Sequence, residues 1–389
     1  MSFEVSSLCD SIDKMMQKHL PLEEVRRRDA AGEPPDHLLE VFADMGLFRL
    51  VMSEKEGGLG GSWEQLSIIQ ERLGYHATMA ALLYNRVTCF GMMTLITSGS
   101  PTQKQAWIPK LLAGKGAFAL ALSEAEAGSD AGALQTRAVK SGKNWKITGR
   151  KIWISGAKAA LQMVVAARTD SKSRGGKGVT LFLVSPDAKG ISMTPLEKIG
   201  NRCSLSYDIG FDEVLVSDEA RLGVIGEGFD CLKKTLFYAR SGLASAVVGT
   251  AQAAVDAALA HARERKQFGQ SIGRFQVLAH RLAHMQTDVD LARLLTRELA
   301  KSIDAGKDCT RLSAQAKLVT TETLKTITEQ GMQIMASAGY AAESDMQRYW
   351  RDARLYTFGE GSSEILLDLI AQDIGAVSYT HLTLPTIAE

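Results

Sequence analysis

An acid with a glycine on either side, Glu360 in RDARLYTFGEGSSE at residues 351 to 364, is the residue best placed to do chemistry. Glycine frees the backbone to project the carboxylate into a cavity. The same string also suits an exposed loop acid. ALSEAEAGSD, residues 121 to 130, sets hydroxyls at Ser123 and Ser129 among small residues that let backbone approach a ligand. A helix cap or turn would read alike. KIWIS, residues 151 to 155, places Trp153 and Ser155 two apart, on one side of a strand. A strand tryptophan also suits a core. RKQFGQSIGRFQ, residues 265 to 276, combines a fixed cation, an aromatic and amides at a helix end, a set suited to a pyrophosphate or to a solvated terminus.

Other chemistries find less support. EGGLGG at 56 to 61, SGAK at 155 to 158 and GVIGEG at 223 to 228 lack the GxGxxG spacing between strand and helix, and there is no GKS or GKT. They read as turns, which disfavours a Rossmann site. The five cysteines are scattered and never form CxxC, against a disulfide framework or a zinc site. Lys and Arg number 45 against 44 for Asp and Glu, so no bulk charge recruits nucleic acid or an anionic membrane surface. The start, MSFEVSSLCDSIDKMM, has neither signal-peptide nor transit-peptide character. No run of the roughly 20 apolar residues that span a bilayer is expected. The expectation is a cytoplasmic protein in a reducing compartment.

The elements that must position these strings follow from periodicity. None of the eight prolines lies between Pro195 and Pro385. In that region Leu278, Leu282, Met285, Val289, Ala292, Leu295, Leu299 and Ile303 step by three or four, one face of a helix. Leu312, Ala316, Val319, Thr323, Ile327 and Ile334 predict a second helix, and the Ala-rich run from Thr250 to Lys266 a third, together a bundle. WKITG, KIWIS, MVVAAR, VTLFLV and YDIGFDEVLV are short β-branched and aromatic runs, which predict a small antiparallel β domain. HLLEVFADMGLF and WEQLSIIQERLG are helical again, joined by EGGLGG. The expected order is a helical domain at 1–117, a β domain at 118–225 and a helical bundle at 226–376. The Thr-rich VSYTHLTLPTIAE, 377–389, resembles a translated sequencing adapter and is expected to add nothing to the fold.

Taken together, these strings resemble the acyl-CoA dehydrogenase family over essentially residues 1 to 375. SGSPTQKQAWIPKLLAGK, PLEKIGNRCSLSYDIGFDEVLV and GVIGEGF extend the likeness. The resemblance implies a mainly α fold with a middle β domain and a C-terminal four-helix bundle, with FAD as cofactor. It further implies an acyl-CoA substrate, a place in fatty-acid metabolism, a homo-oligomer (dimer or tetramer) and an electron-transferring flavoprotein as acceptor. By position, Leu122 and Ser123 match residues at the flavin's pyrimidine edge, and Trp153 and Ser155 those at its N5 side. Arg265, Gln267, Phe268 and Gln276 match residues that reach the cofactor's ADP half across a subunit interface, as does Gln333 of QIMASAGY, and Ser337 in the same string is expected at the cofactor. Ser362 would also touch the cofactor. Ser129, Arg240 and Gly361 match substrate-side positions, though Arg240 equally suits pairing with a nearby carboxylate, and Glu360 matches the base for α,β-dehydrogenation with hydride passing to flavin N5. A flavin oxidase, monooxygenase or enoyl-CoA reductase on the same scaffold, or a catalytically silent assembly subunit, would carry the same motifs. Some relatives carry that acid directly before an arginine on a bundle helix. Here the position is Ala239, before Arg240, and cannot serve.

The chain departs from the family pattern at several points. Ala125 stands where proline is usual, Gly156-Ala157 where Asn-Gly is usual, and Ala336-Ser337 where a glycine pair is usual. Gly359 precedes the acid where an aromatic is common, leaving acyl-chain specificity open. Arg351 and Asp352 read as a structural ion pair.

Overall fold

The computed structural model describes residues 3–376, and the Thr-rich tail expected to be inert lies outside the described residues. Helices α1 (Phe3–His19), α2 (Leu22–Ala31), α3 (Leu38–Asp44), α4 (Trp63–His76), α5 (Thr78–Asn85), α6 (Met93–Ser98) and α7 (Pro101–Leu112) come first. The β segment follows: β1 (Ala117–Ala121), β2 (Arg137–Ser141), β3 (Asn144–Ser155), β4 (Ala160–Arg168), β5 (Val179–Val184), β6 (Ile191–Leu196), β7 (Ser206–Ser217) and β8 (Arg221–Leu222). The chain then returns to helix with α8 (Gly228–Glu264), a hairpin of β9 (Lys266–Gln267) and β10 (Gln270–Ser271), α9 (Gln276–Asp304) and α10 (Thr310–Met335). It closes with α11 (Ser337–Tyr340), α12 (Asp345–Tyr356) and α13 (Ser363–Asp373). Helices α4 and α7 start where the sequence supplies capping boxes, Ser62 with Gln65 and Ser100 with Gln103.

One compact unit comprises residues up to Asn85, Lys198–Ser204 and Ala239–Leu367. Its core gathers Val247, Val255, Met285, Val289, Leu324, Ile327, Met346 and Tyr349 from α8, α9, α10 and α12, as the helical spacing requires. The Ala-rich run forms the second half of a helix that starts at Gly228, well before the expected Thr250, and stops at Glu264. Gly249, mid-helix, is kept by a close approach. A Cβ there would lie 1.8 Å from the Glu71 carbonyl oxygen, and one on Gly74 would lie 2.0 Å from that of Ala246. The backbones of α4 and α8 therefore touch, and hydroxyl pairs Ser67–Ser245 and Thr78–Thr250, each 2.8 Å apart, flank the crossing.

The second unit comprises Arg86–Glu197, Leu205–Tyr238 and the described residues after Leu367. Its sheet runs β6-β7-β3-β2-β4-β5-β8, with β1 beside β4. Pairing is mostly antiparallel, but β1 runs parallel to β4. WKITG and KIWIS are one strand, β3, because Gly149 bends the chain without ending the ladder to β7. Trp145, Ile147, Ile154, Met163, Val165, Phe182, Ile209 and Phe211 fill the core under it.

One expectation fails. The stretches Thr78–Ser98 and Gly228–Glu264 are each, by length and composition, apolar enough to cross a membrane. Most of each is buried within the fold.

Candidate active site

The Glu360 loop belongs to the first unit. Helix α12 ends at Tyr356, and the amides of Phe358 and Gly359 turn back to the Leu355 carbonyl at 3.2 and 2.8 Å. The next helix is capped from the loop itself: the Ser362 hydroxyl accepts from the Ile365 amide at 3.4 Å. Ser363 donates to Glu322 at 2.7 Å. Between these anchors, Glu360 takes φ 57° and Gly361 φ 104°. For a side chain other than glycine, such backbone costs roughly 1–3 kcal/mol and persists only where its surroundings hold it.

Two cations, Lys317 buried and Arg240 partly so, do the holding. Arg240 of α8 donates through Nε to the Glu360 carbonyl at 2.7 Å. Lys317 of α10, with no exposed surface, donates through Nζ to the Gly361 carbonyl at 2.7 Å. A Cβ on Gly361 would meet an Arg240 Nη at 2.8 Å, so this position suits glycine on two counts. Glu360 is half-buried, but its Oε2 is shielded and has no hydrogen-bond partner among the described residues. Burial pushes the Glu360 carboxyl above its ordinary value, against the pull of Lys317 and Arg240. Burial also lowers Lys317 to about 8, opposed by Glu360. A desolvated carboxylate with a free lone pair is a stronger base than one in water. Ala239, buried at the alternative position, accepts the Asn85 side-chain amide at its carbonyl at 3.1 Å.

In the second unit, Leu122 and Ser123 follow β1 and are tied to β3. Lys151, fully buried, donates to the Leu122 carbonyl at 2.8 Å and to Glu124 at 2.7 Å. Glu124 also accepts the Gln135 and Thr136 amides at 2.6 and 2.9 Å. Burial pulls Lys151 down to about 8, and Glu124 opposes it. Burial raises the Glu124 carboxyl, but Lys151 and the amides outweigh it, and the group sits below its ordinary range. The Ser123 carbonyl accepts the Ile152 amide at 2.9 Å.

Trp153 and Ser155 do not lie on a regular strand face as expected. Lys151 pairs with Ile209 and Ile154 with Tyr207, so β3 carries one extra residue, a bulge. Trp153 sits in it at φ 63° and is 56% exposed. Ser155 exchanges a hydrogen bond with Ser206 at 3.0 Å. At Gly156, φ 65°, the guanidinium of Arg86 lies where a side chain would start: a Cβ would fall 2.2 Å from its Nη1. Arg86 donates to the carbonyls of Gly156 and Phe118 at 3.2 and 3.4 Å. It opens a π-helical turn, Arg86–Met92. Ser129 is exposed.

Back in the first unit, Arg265, Gln267 and Phe268 stand on the exposed connector between α8 and α9, with Gln276 the first residue of α9. Phe268 forms the hairpin tip at φ 51° and is 92% exposed. Gln333 is in the last turn of α10, and Ser337 opens α11 after Ala336, which takes φ 49° and ψ −131°. Arg351 and Asp352 are not an ion pair. Arg351 binds Asp29 at 2.5 Å, and Asp352 accepts the Asn201 amide at 2.5 Å.

The structure thus joins Glu360, Gly361 and Arg240 in one cluster and Leu122, Ser123 and the Trp153 strand in another. Sequence reasoning missed Lys317, Lys151, Glu124 and Arg86. None of the four carries a local signal in the sequence. The residues present fit a flavin dinucleotide. An unpaired indole is held outward on strained backbone beside hydroxyl-bearing turns, and the α8–α9 connector offers an exposed guanidinium, amides and an aromatic tip.

Comparison with known proteins agrees with the motifs. The models of the acyl-CoA dehydrogenase N-terminal, middle and C-terminal domains match residues 3–115, 119–214 and 226–375. A protein of Bacillus subtilis named a probable acyl-CoA dehydrogenase is 34% identical over 379 residues, covering 96% of this chain and 100% of that one. The caffeyl-CoA reductase–Etf complex subunit of Acetobacterium woodii is 34% identical over 350 residues, 90% of this chain and 92% of its own. Butyryl-CoA dehydrogenase from Megasphaera elsdenii superposes with a TM-score of 0.91 at 28% identity, covering 96% of this chain and 98% of that one.

Proposed function

The chain belongs to the acyl-CoA dehydrogenase family, and from that membership we propose that it dehydrogenates an acyl-CoA thioester between its α and β carbons with Glu360 as base. The family is one of FAD-dependent oxidoreductases, and FAD when bound supplies the hydride acceptor. The single observation that carries the reading is the Glu360 carboxylate: desolvated, with Oε2 unpaired, on a strained turn clamped by two cations.

In this reading Glu360 takes the α proton, and its own backbone N–H helps stabilise charge developing on the thioester oxygen. Hydrogen bonds already in place do this best. Arg240 and Gly361 shape the turn on the substrate side, and Ser129 meets the CoA moiety. Leu122, Ser123, Trp153 and Ser155 hold the flavin ring, while Arg265, Gln267, Phe268, Gln276, Gln333, Ser337 and Ser362 hold the rest of the cofactor. The wider proposal is a cytoplasmic homo-oligomer, dimer or tetramer, acting in fatty-acid metabolism and passing electrons to an electron-transferring flavoprotein.

The reductase relative favours a second reading, reduction of an enoyl thioester at the same residues. Anaerobic titration with a panel of acyl-CoA and enoyl-CoA thioesters, following the flavin band, separates the two. Glu360→Gln keeps shape and hydrogen bonding but cannot accept the proton. Flavin reduction by the best acyl-CoA is expected to fall on the order of a hundred- to ten-thousand-fold, with FAD and substrate still bound. Bleaching at the wild-type rate would overturn the assignment of the base.

A further inference from the structure

We propose that Lys317 is a positioning residue for proton transfer: its ammonium, bonded to the Gly361 carbonyl, keeps the Glu360–Gly361 turn in its left-handed form and the Glu360 carboxylate in its desolvated place. The inference rests on the reading of Glu360 as base and deepens it. Lys317 is fully buried, and the one hydrogen bond its side chain makes in this region runs to Gly361, 44 residues on. An ion without exposed surface is costly to bury unless paired. A methionine would fill the same volume at no such cost, so packing alone does not account for the charge.

The turn explains it. Glu360 and Gly361 are consecutive residues at positive φ, and their two carbonyls are each satisfied from a different helix, by Arg240 and by Lys317. Removing one donor leaves a carbonyl of this partly buried turn unpaired, a cost of the same order as the strain the turn stores. The turn then has reason to relax. The charged groups facing Lys317 are Glu360, Arg240, Glu322 and Glu364, and Glu322 is already engaged by Lys325 and Ser363. Of the two carboxylates left, Glu364 is exposed on the first turn of α13. Glu360 is thus the buried counter-charge of Lys317, and loss of the cation makes ionised Glu360 harder to keep.

The test is Lys317→Met in the FAD-loaded protein, with two readouts. In the pH profile of anaerobic flavin reduction, the limb that reports Glu360 ionisation is expected to move up by about one pH unit. The reduction rate below the limb is expected to fall about tenfold. Amide exchange of segment 357–362 is expected to rise at least tenfold over wild type, with α9 unchanged. A uniform loss of rate, with limb and exchange both unmoved, would mean that Lys317 is structural filler, and would overturn the inference. Where Lys317→Met does not accumulate as folded protein, Lys317→Gln keeps a donor and loses the charge. The same upward shift is expected, and an unmoved limb overturns the proposal. Glu360→Gln run beside these separates the two claims. A silent Glu360→Gln with an unmoved limb in Lys317→Met sinks the inference alone, while an active Glu360→Gln sinks the base assignment itself.

Discussion

Replacing Gly156 tests how the end of β3 is held, and the structure supplies the size of the effect. The position has φ 65°, and a Cβ would fall 2.2 to 2.3 Å from three guanidinium atoms of Arg86. Gly156→Ala meets two costs: the left-handed backbone, roughly 1–2 kcal/mol, and overpacking, roughly 1–3 kcal/mol. Gly156→Asn meets chiefly the second, because asparagine tolerates this backbone. The guanidinium escapes only by giving up its bonds to Phe118 and Gly156. In an Arg86→Ala background the steric cost vanishes. Alanine then costs only the backbone share and asparagine almost nothing. Thermal unfolding of the four proteins of each cycle at one FAD concentration gives the coupling, expected at about 1–3 kcal/mol. FAD occupancy should fall with stability in the single variants, since Ser155 and Trp153 precede the site. Additivity within about 0.5 kcal/mol would show that Arg86 does not occupy the place of the missing side chain, and the account of this departure from Asn-Gly would fail.

Ala336→Gly removes alanine from φ 49°, ψ −131° and is expected to raise stability by about 1 kcal/mol; an unchanged or lower melting temperature would contradict the strain. Lys151 sits near pKa 8 when folded, below its ordinary 10.5. The unfolded chain therefore binds more protons between those values, and stability rises with pH across that window by on the order of 3 kcal/mol. Lys151→Met is expected to lack that rise and to be destabilised at pH 7 because Glu124 loses its counter-ion, so denaturant titrations at pH 7.5 and 10 should show its gap to wild type widening. Arg265→Ala is expected to lower FAD content and oligomer size together, read by absorbance and sedimentation; full FAD content at unchanged size would reject its placement.

The fold was legible wherever side chains repeat at a structural period. The helices bearing Leu278 to Ile303 and Leu312 to Ile334, and the strands at MVVAAR and VTLFLV, stand where spacing and β-branching place them. The start of α8 was not legible, because residues 228–249 hold small and mixed side chains whose pattern is set by a crossing with α4 at Gly74 and Gly249. Glu360 could be singled out because two flanking glycines are a local signal. Its clamp could not, since Arg240 and Lys317 lie 120 and 44 residues from the carbonyls they bind, and backbone acceptors leave no mark in a sequence. Lys151 failed for a related reason. A lysine in a strand reads as solvent-facing until the buried carboxylate of Glu124 is placed beneath it.

The strings singled out by chemistry and the places where the backbone is strained turn out to be largely the same. Six described residues other than glycine have positive φ: Trp153, Asn201, Glu213, Phe268, Ala336 and Glu360. Trp153 lies in KIWIS, Phe268 in the α8–α9 connector, Ala336 in QIMASAGY and Glu360 in the glycine-flanked loop. Asparagine adopts this conformation readily, which leaves Glu213 as the exception outside these strings. Folding alone gives no reason for such strain at Phe268, whose ring is 92% exposed and contributes little burial to offset it. The same holds for Trp153, more than half exposed in its bulge. Glycine at either position would relieve the backbone and remove the ring that the backbone holds outward. Strain of this kind persists only where its surroundings hold it, and in the function proposed above both rings are ones that bound FAD would cover.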